Sequence, residues 1–163
     1  MPKKFFARLL AAASLLSCLL VVAVAQMPNP YGLPVSNETA KKAAALAVAE
    51  AAKNKWNVAV AVVDPSGFLV YYEKMDNTQL GSASVAIEKA RTAALFKRPS
   101  KAFQDTLAAG GDGLRVLGLR NATPIEGAFP LISDGKIIGA IGVSGVMASQ
   151  DAQCAKAGAD SIK

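Results

Sequence analysis

The sequence predicts an α+β fold, in which helices pack on an antiparallel sheet. Two observations support this prediction: the strand-like segments form two hairpins, and helical segments stand before, between and after these hairpins. A third is the length, since 163 residues suit one domain of ordinary size. The sequence contains no dinucleotide-binding fingerprint and no phosphate-binding loop, so nothing in it indicates a parallel sheet.

The first 25 residues have the pattern of an export signal. The basic start contains Lys3, Lys4 and Arg8. An apolar run over residues 9–24 follows, and Ala23-Val24-Ala25 fits a small-residue cleavage site. The apolar run is about 16 residues long, shorter than the roughly 20 that span a bilayer. The pattern predicts a mature chain from Gln26 that is exported, periplasmic or extracellular, with no membrane span. Lipidation at Cys18 is a weaker alternative, because the apolar run continues beyond it.

The composition excludes several common kinds of site. The sequence has no His, which removes Ser-His-Asp hydrolase, zincin and His-ligated zinc chemistry. Signal cleavage would remove three of the 18 Lys and Arg and none of the 12 Asp and Glu, so the formal net charge falls from +6 to +3. This modest charge, without clustered basic residues, is not typical of a nucleic-acid-binding protein.

The mature chain would contain a single cysteine, Cys154. An intramolecular disulfide is therefore excluded, even in an oxidising compartment. Cys154 is most simply a small buried residue of the last helix. An intermolecular disulfide and a thiolate ligand are the alternatives.

The first elements of the mature chain are an extended leader and a helix. Three prolines and a glycine in residues 26–35 disfavour helix, and we expect this leader to be mobile or packed on a neighbour. The single domain then spans residues 36–163. Ser36 is the predicted N-cap of an alanine-rich helix that ends at Lys53.

The first hairpin joins residues 57–64 to residues 68–75. The first of these segments is apolar and β-branched, as in a buried strand, and Pro65-Ser66-Gly67 supplies the turn. Asp64 is most simply a turn-forming residue before Pro65. Two helices follow this hairpin.

These helices are predicted over residues 82–97 and 100–107. The first presents alanines on an inner face and Glu88 and Lys89 on an outer one. Ser100 is the predicted N-cap of the second, which ends at Gly110-Gly111. The chain up to residue 121 has no clear periodicity and is predicted as loop.

The second hairpin joins residues 127–132 to residues 136–143 through Asp134-Gly135, a dipeptide favoured in two-residue turns. Gly139 and Gly142 lie inside its second strand, which predicts a bend or the close approach of another backbone or a ligand. A last helix is predicted over residues 150–162.

Four segments in this order resemble the GlcG/HbpS family of haem-binding or haem-degrading-type proteins: residues 58–76, 84–100, 126–145 and 150–160. The resemblance covers residues 36–163. It implies a profilin-like or roadblock-like sandwich around an antiparallel sheet of about five strands. It also implies haem or a related tetrapyrrole as ligand, export and self-association into a homo-oligomer. Gly127-Ala128 stands where relatives commonly have two glycines, which hinders close approach of a ligand.

Haem iron in a chain without His would need another kind of axial ligand. The candidates are Tyr71, Tyr72, Met75, Met147 and Cys154. Adjacent strand residues alternate in direction, so one of the two tyrosines is expected in the core and the other on the opposite, solvent-facing side. Both methionines have a simpler interpretation as gap-filling core residues.

Charged and helix-terminal groups are the candidates for contact with a ligand carboxylate: Lys89, Arg91, Asp76, Ser144, Gly145 and Asp151. Lys89 and Arg91 would approach a haem propionate or another carboxylate from one helix, unless they lie on a solvated helix face. Asp76 would bond backbone amides before residue 82. Helix capping is the simpler role for Ser144, Gly145 and Asp151.

Three functions from different classes remain open. The first is an exported haem-binding protein, which the resemblance favours. The second is a binding or scaffolding module without enzymatic activity, for another small organic ligand or a partner protein, which the absence of His favours. The third is an enzyme acting on haem or on a small hydroxy acid, although no nucleophile and general base can be assembled from the motifs. Association is expected through the strand over residues 136–145 and the alanine-rich helices.

Overall fold

The computed structural model describes residues 28–162, which form five helices and four strands. The elements are α1 Asn37–Lys53, β1 Ala59–Val63, β2 Leu69–Lys74, α2 Ser82–Leu95, α3 Lys101–Ala108, a 3₁₀ helix Gly111–Gly118, β3 Ala128–Ser133, β4 Lys136–Ser144 and α4 Ala148–Ala159. The predicted export signal lies outside the described residues. Within them, no helix has the length and apolar character needed to cross a bilayer.

The strands form one antiparallel sheet in the order β2-β1-β4-β3, which confirms the predicted α+β class. Residues 28–162 supply four strands, where about five were expected. The leader partly takes the place of a further strand, because it runs beside β4 beyond the end of β1. The backbone N–H of Gly32 donates to Ile137 O at 2.8 Å, and that of Val35 donates to Ile138 O at 2.7 Å. The leader therefore packs on its own sheet.

Both hairpin turns follow from local chemistry. The Asp64 carboxylate accepts hydrogen bonds from the backbone N–H groups of Ser66 and Phe68, at 2.8 and 2.9 Å, as a turn-forming aspartate does. Asp134 and Gly135 have φ angles of 48° and 69°. Two consecutive positive φ values are the signature of the turn that joins twisted antiparallel strands.

The helix termini agree with the sequence pattern at some positions and differ at others. Ser36 caps α1, because its Oγ accepts a hydrogen bond from the Thr39 N–H at 3.1 Å. Ser100 makes no such bond to α3, and its Oγ accepts from the Ala128 N–H instead. Residues 111–118 form a 3₁₀ helix where a loop was expected, after Gly110 and Gly111 end α3 with positive φ angles.

Helices cover both faces of the sheet, and the residues of each face differ in size. On one face, valine and isoleucine side chains of β1 and β4 pack with the alanines of α1 and with Cys154 and Ala155 of α4. On the other face, alanines of the same strands pack with the alanines of α2. The alternation of side chains along each strand produces this division. Small residues let α2 lie close to the sheet.

Gly142 is the point of closest approach between α2 and β4. A Cβ atom built on Gly142 would lie 2.6 Å from Ala90 N and 3.0 Å from the Ala90 Cβ, and closer still to Ala86 O. Backbone atoms cannot move aside as a flexible side chain does. The predicted close approach of another backbone at Gly142 is therefore confirmed, and the backbone is that of α2.

We expect Gly142→Ala to lower the free energy of unfolding by about 1–3 kcal/mol, because overpacking forces α2 away from the sheet. Gly118→Ala is the matched control, since a Cβ there would have no neighbour within 4 Å. It should change stability by less than about 0.5 kcal/mol. Urea unfolding followed by circular dichroism measures both, and equal midpoints for the two variants would contradict the packing argument.

Candidate functional site

A buried ion pair joins α2 to α4. The Lys89 Nζ lies 2.8 Å from Asp151 Oδ2 and also donates to Val143 O at 3.1 Å. The side chains of Lys89 and Asp151 are only 1% and 3% exposed. Lys89 was expected on an outer helix face, and that expectation is wrong. Its carboxylate partner lies 62 residues away in the chain, so local periodicity gives no sign of it.

Lys89 and Arg91 point in different directions, because residues two apart on a helix do not share a face. Arg91 is half-buried and donates from Nε to Gly67 O in the first hairpin turn, at 3.0 Å. The structure therefore does not bring these two cations together. Lys89 meets a carboxylate of its own chain, and its contact with a ligand stays a prediction.

The Asp151 carboxylate is fixed from several sides. Its Oδ1 accepts from the Val146 N–H at 3.1 Å, and the Gly145 N–H also contributes a hydrogen bond. Burial raises the pKa of the Asp151 carboxyl, and the hydrogen bond from Lys89 opposes that rise. Asp151 thus closes the loop between β4 and α4 rather than capping α4 from its N-cap position, which Met147 occupies.

Gly127 has no side chain, and the ion pair occupies the space that a side chain would fill. It has a φ of 132°, and a Cβ atom built on it would lie 2.7 Å from Lys89 Nζ and 2.9 Å from Val143 O. Any side chain here would displace the ammonium group. The Gly127 O also accepts a hydrogen bond from the Val143 N–H at 2.9 Å. This glycine is a requirement of the ion pair that the sequence analysis did not identify.

The other predicted carboxylate contacts lie apart from one another. Ser144 is buried at the end of β4, opposite Ala59 of β1. Gly145 lies against the backbone of residue 57, where a Cβ atom would clash. Asp76 is exposed in the turn after β2, and the neighbouring Thr78 hydroxyl closes that turn by donating to Met75 O at 2.8 Å. Ligand contacts of these residues stay predictions.

The two tyrosines of β2 lie on opposite faces of the sheet. Tyr71 packs against the cluster that holds α1 and α4, and Tyr72 packs against the cluster that holds Ala86. Each is half-buried, because helices cover both faces. Neither is the solvent-facing side chain that the sequence analysis expected. The Tyr71 hydroxyl donates to Glu73 at 3.0 Å, and this hydrogen bond raises the pKa of Tyr71, while burial raises that of Tyr72.

The sulfur-containing candidates differ in exposure. Met75 packs against the core, whereas Met147 is 70% exposed before α4 and is not the core residue that was the simpler interpretation. Cys154 is fully buried, and burial raises the pKa of its thiol to about 12. A buried thiol agrees with the structural interpretation of Cys154. Across residues 28–162, no group of three or more acidic or cysteine side chains is arranged to hold a metal ion.

A concave surface that the sequence analysis missed lies beside the edge strand β3. This cleft, called here the β3 cleft, has a volume of ≈ 610 Å³. Its walls come from the leader, β3 and the end of α4, and its lining includes Pro28, Lys97, Phe129, Pro130, Ile132, Ile137 and Ile162. Nothing in the local sequence shows that the leader returns to the sheet. The available signal for this cleft was Ile132, an apolar residue of the family motif over residues 126–145 that lies exposed on β3.

A smaller and more polar cavity of ≈ 270 Å³ lies between α2 and the loop after the 3₁₀ helix. It is called the Arg91 pocket here. Its lining consists of Glu88, Arg91, Asn121, Ala122 and Thr123. Arg91 is the one predicted ligand-contacting residue that lines one of these two cavities.

The ion pair generates a stability prediction. Lys89→Met should lower the free energy of unfolding by about 3–5 kcal/mol, because it leaves the Asp151 carboxylate buried without its partner. Combining Lys89→Met with Asp151→Leu should cost less than the single change. Lys101→Met is the control, since the Lys101–Asp105 pair is about half exposed to solvent and its loss should change stability far less. Urea unfolding tests this, and equal effects at both lysines would contradict it.

Cys154 generates a reactivity prediction. With a folded-state pKa of about 12 against an ordinary value of 9.0, the thiol stays protonated in the folded protein at pH 8. A disulfide exchange reagent should therefore label the folded mature chain at least about a hundredfold more slowly than the urea-unfolded chain. Absorbance of the released thiolate measures both rates. Rapid stoichiometric labelling of the folded protein would contradict the burial of Cys154.

Comparison with known proteins supports one family. The family model described as "Haem degrading protein HbpS-like" matches residues 35–160. Protein GlcG of Escherichia coli strain K12 is 41% identical over 110 residues, which cover 68% of this chain and 81% of that protein. An uncharacterized 15.0 kDa protein of Citrobacter freundii is 31% identical over 123 residues, 74% of this chain and 87% of that one.

Solved structures agree with the sequence comparisons. A double mutant of HbpS from Streptomyces reticuli superposes with a TM-score of 0.75 at 29% identity, and the match covers 81% of this chain and 89% of that one. The PduOC haem complex superposes with a TM-score of 0.72 at 26% identity, and the match covers 80% of this chain and 96% of that one. The resemblance predicted from four sequence segments is confirmed, and the chain belongs to the HbpS-like family.

Proposed function

We propose that this protein binds haem, that it does so in the β3 cleft, and that it is exported and self-associating. The observation that carries the proposal is the cleft itself, a concavity with apolar and polar walls in a chain of the HbpS-like family. The structural similarity to PduOC, whose structure is a haem complex, supports haem as the ligand. The binding and scaffolding alternative remains the competing hypothesis.

The residues of the β3 cleft fit a tetrapyrrole in size and character. Its volume of ≈ 610 Å³ lies within the range of small-molecule sites, roughly 300–1,000 Å³. Phe129, Ile132 and Ile137 provide aromatic and aliphatic walls for the macrocycle. Lys97 lines the same cleft and supplies a cation for a propionate, with its Nζ 4.2 Å from the centroid of the Tyr31 ring. The carboxylate of Asp160 also lines the cleft, and it is paired with Lys156.

The affinity is assigned to the cleft walls rather than to a strong axial ligand. The sequence has no His, and Met147 precedes α4 whereas the cleft contacts Ala159 at the other end of that helix. Twelve residues of α-helix span about 18 Å. Met147 is therefore too far from the cleft to bind iron held there. When bound, haem would supply redox and spectroscopic properties that this chain lacks on its own.

Export is proposed from the signal-like pattern of the first 25 residues, with the periplasm or the extracellular space as destination. Self-association is proposed from exposed apolar side chains, since Leu33, Phe68 and Leu80 are each more than two-thirds exposed. Most of the strand over residues 136–145 is buried between the layers of one chain, as are the alanines on the inner faces of the helices. Ala45, Ala49 and Ala52 of α1 are exposed, so association through the outer face of α1 stays a prediction.

The experiment is a haem titration of the chain from Gln26 to Lys163, followed by Soret absorbance. We expect a saturable shift for the wild type. Ile132→Glu should weaken binding by about tenfold or more, because it removes apolar contact area and places a carboxylate beside the propionates. Ile125→Glu is the matched control, since Ile125 is as exposed as Ile132 but lies outside the cleft lining, and it should bind haem as the wild type does.

The outcomes separate the function from its location. A flat titration of the wild type would overturn haem binding. A saturable titration that Ile132→Glu leaves unchanged would keep the function and overturn its assignment to the β3 cleft. The same titration with Tyr71, Tyr72, Met75, Met147 and Cys154 replaced singly tests the candidate iron ligands, and we expect none of these changes to abolish binding.

A further inference from the structure

We propose that the Arg91 pocket binds a small zwitterion, an α-amino acid with a short side chain, independently of haem. The pocket combines one cation and one anion at its surface, Arg91 and Glu88, and both lie on α2. Residues three apart on a helix lie on the same side, about 5–6 Å apart at Cβ. The ligand carboxylate would meet Arg91, and its ammonium group would meet Glu88.

Arg91 is held in place without using its terminal nitrogens. Its Nε donates to Gly67 O at 3.0 Å, so the turn between β1 and β2 fixes the guanidinium plane. Among the ion pairs formed by residues 28–162, none involves Arg91 or Glu88, and the Glu88 carboxylate accepts a long hydrogen bond of 3.4 Å from the Thr123 hydroxyl. The two terminal nitrogens therefore retain the paired donor geometry that recognises a carboxylate in a bidentate manner.

The opposite wall of the pocket is rigid. The buried Thr92 hydroxyl donates to Glu88 O at 2.9 Å and accepts from the Thr123 N–H at 2.8 Å. Asn121 adopts a left-handed backbone conformation, with a φ of 63°, which turns the loop back towards α2. A wall fixed in this way costs little conformational entropy when a ligand binds.

The size and charge of the pocket select the ligand class. A volume of ≈ 270 Å³ lies below the usual range for drug-sized ligands and suits a molecule of a few heavy atoms. A plain carboxylate would satisfy Arg91 and be repelled by Glu88. A zwitterion matches both charges, so an amino acid is favoured over a hydroxy acid or a simple fatty acid of the same size.

The test uses three acids that differ only at the second carbon: L-alanine, L-lactate and propionate. Isothermal titration of the haem-free chain should give saturable binding of alanine, and at least about tenfold weaker binding of lactate and propionate, because only the ammonium group pairs with Glu88. Amide NMR shifts should be confined to residues around the Arg91 pocket, on α2 near Glu88 and Arg91 and in the loop over residues 121–123. Equal binding of the three acids would overturn the proposal. The absence of alanine binding at an alanine concentration of about 10 mM would also overturn it.

Glu88→Gln is the decisive variant, since Glu88 is exposed and the change keeps the shape of the side chain. Alanine binding should weaken by about tenfold, and propionate binding should be unchanged or stronger. Glu38→Gln, at an exposed glutamate of α1 outside the pocket, is the matched control and should bind alanine as the wild type does. Arg91→Lys should also weaken alanine binding. Because Arg91 supports the hairpin turn, NMR is used to check that this variant is folded. Unchanged alanine binding in Glu88→Gln would overturn the assignment.

Discussion

The Lys89–Asp151 ion pair is the constraint that holds the layers of this fold in one arrangement. α2 covers one face of the sheet, and α1 and α4 cover the other. Lys89 extends from α2 past Gly127 and reaches α4, so the two helical layers are joined around the end of β4. Because an unpaired charge in this position is costly, packings that separate the two helices are strongly disfavoured. The glycine at residue 127 and the buried end of β4 both follow from this contact.

The covered faces of the sheet determine where a ligand can bind. Alanines and Gly142 bring α2 against the strands, and the larger side chains of the other face fill the space beneath α1 and α4. The two cavities described above lie at the margins of these layers, one beside the edge strand β3 and the other between α2 and a loop. The proposed binding sites therefore depend on side chains at element ends, where sequence patterns are least informative.

The sequence predicted local features well and long-range contacts poorly. Both hairpins, their turns at Asp64 and Asp134, and the close approach at Gly142 were identified because neighbouring residues determine them. Lys89 was placed on the wrong side of its helix, since only the distant Asp151 explains its burial. The β3 cleft was missed for a similar reason, because it forms where the leader, β3 and the end of α4 meet.

Because the sequence contains no His, the proposed ligand sites depend on other polar and apolar side chains. A buried Lys and a buried Asp neutralise each other inside the fold, so neither is available to a ligand without breaking their contact. The cations that remain at the cavities are Lys97 and Arg91, and each lies beside a different kind of wall. Lys97 shares its cleft with several apolar side chains and with Asp160, whose carboxylate is paired with Lys156, and this lining favours a large hydrophobic ligand with a peripheral negative charge. Arg91 lies opposite a carboxylate, which favours a small ligand with both charges. The walls of the two cavities, rather than a His ligand, thus distinguish the two proposed ligand classes.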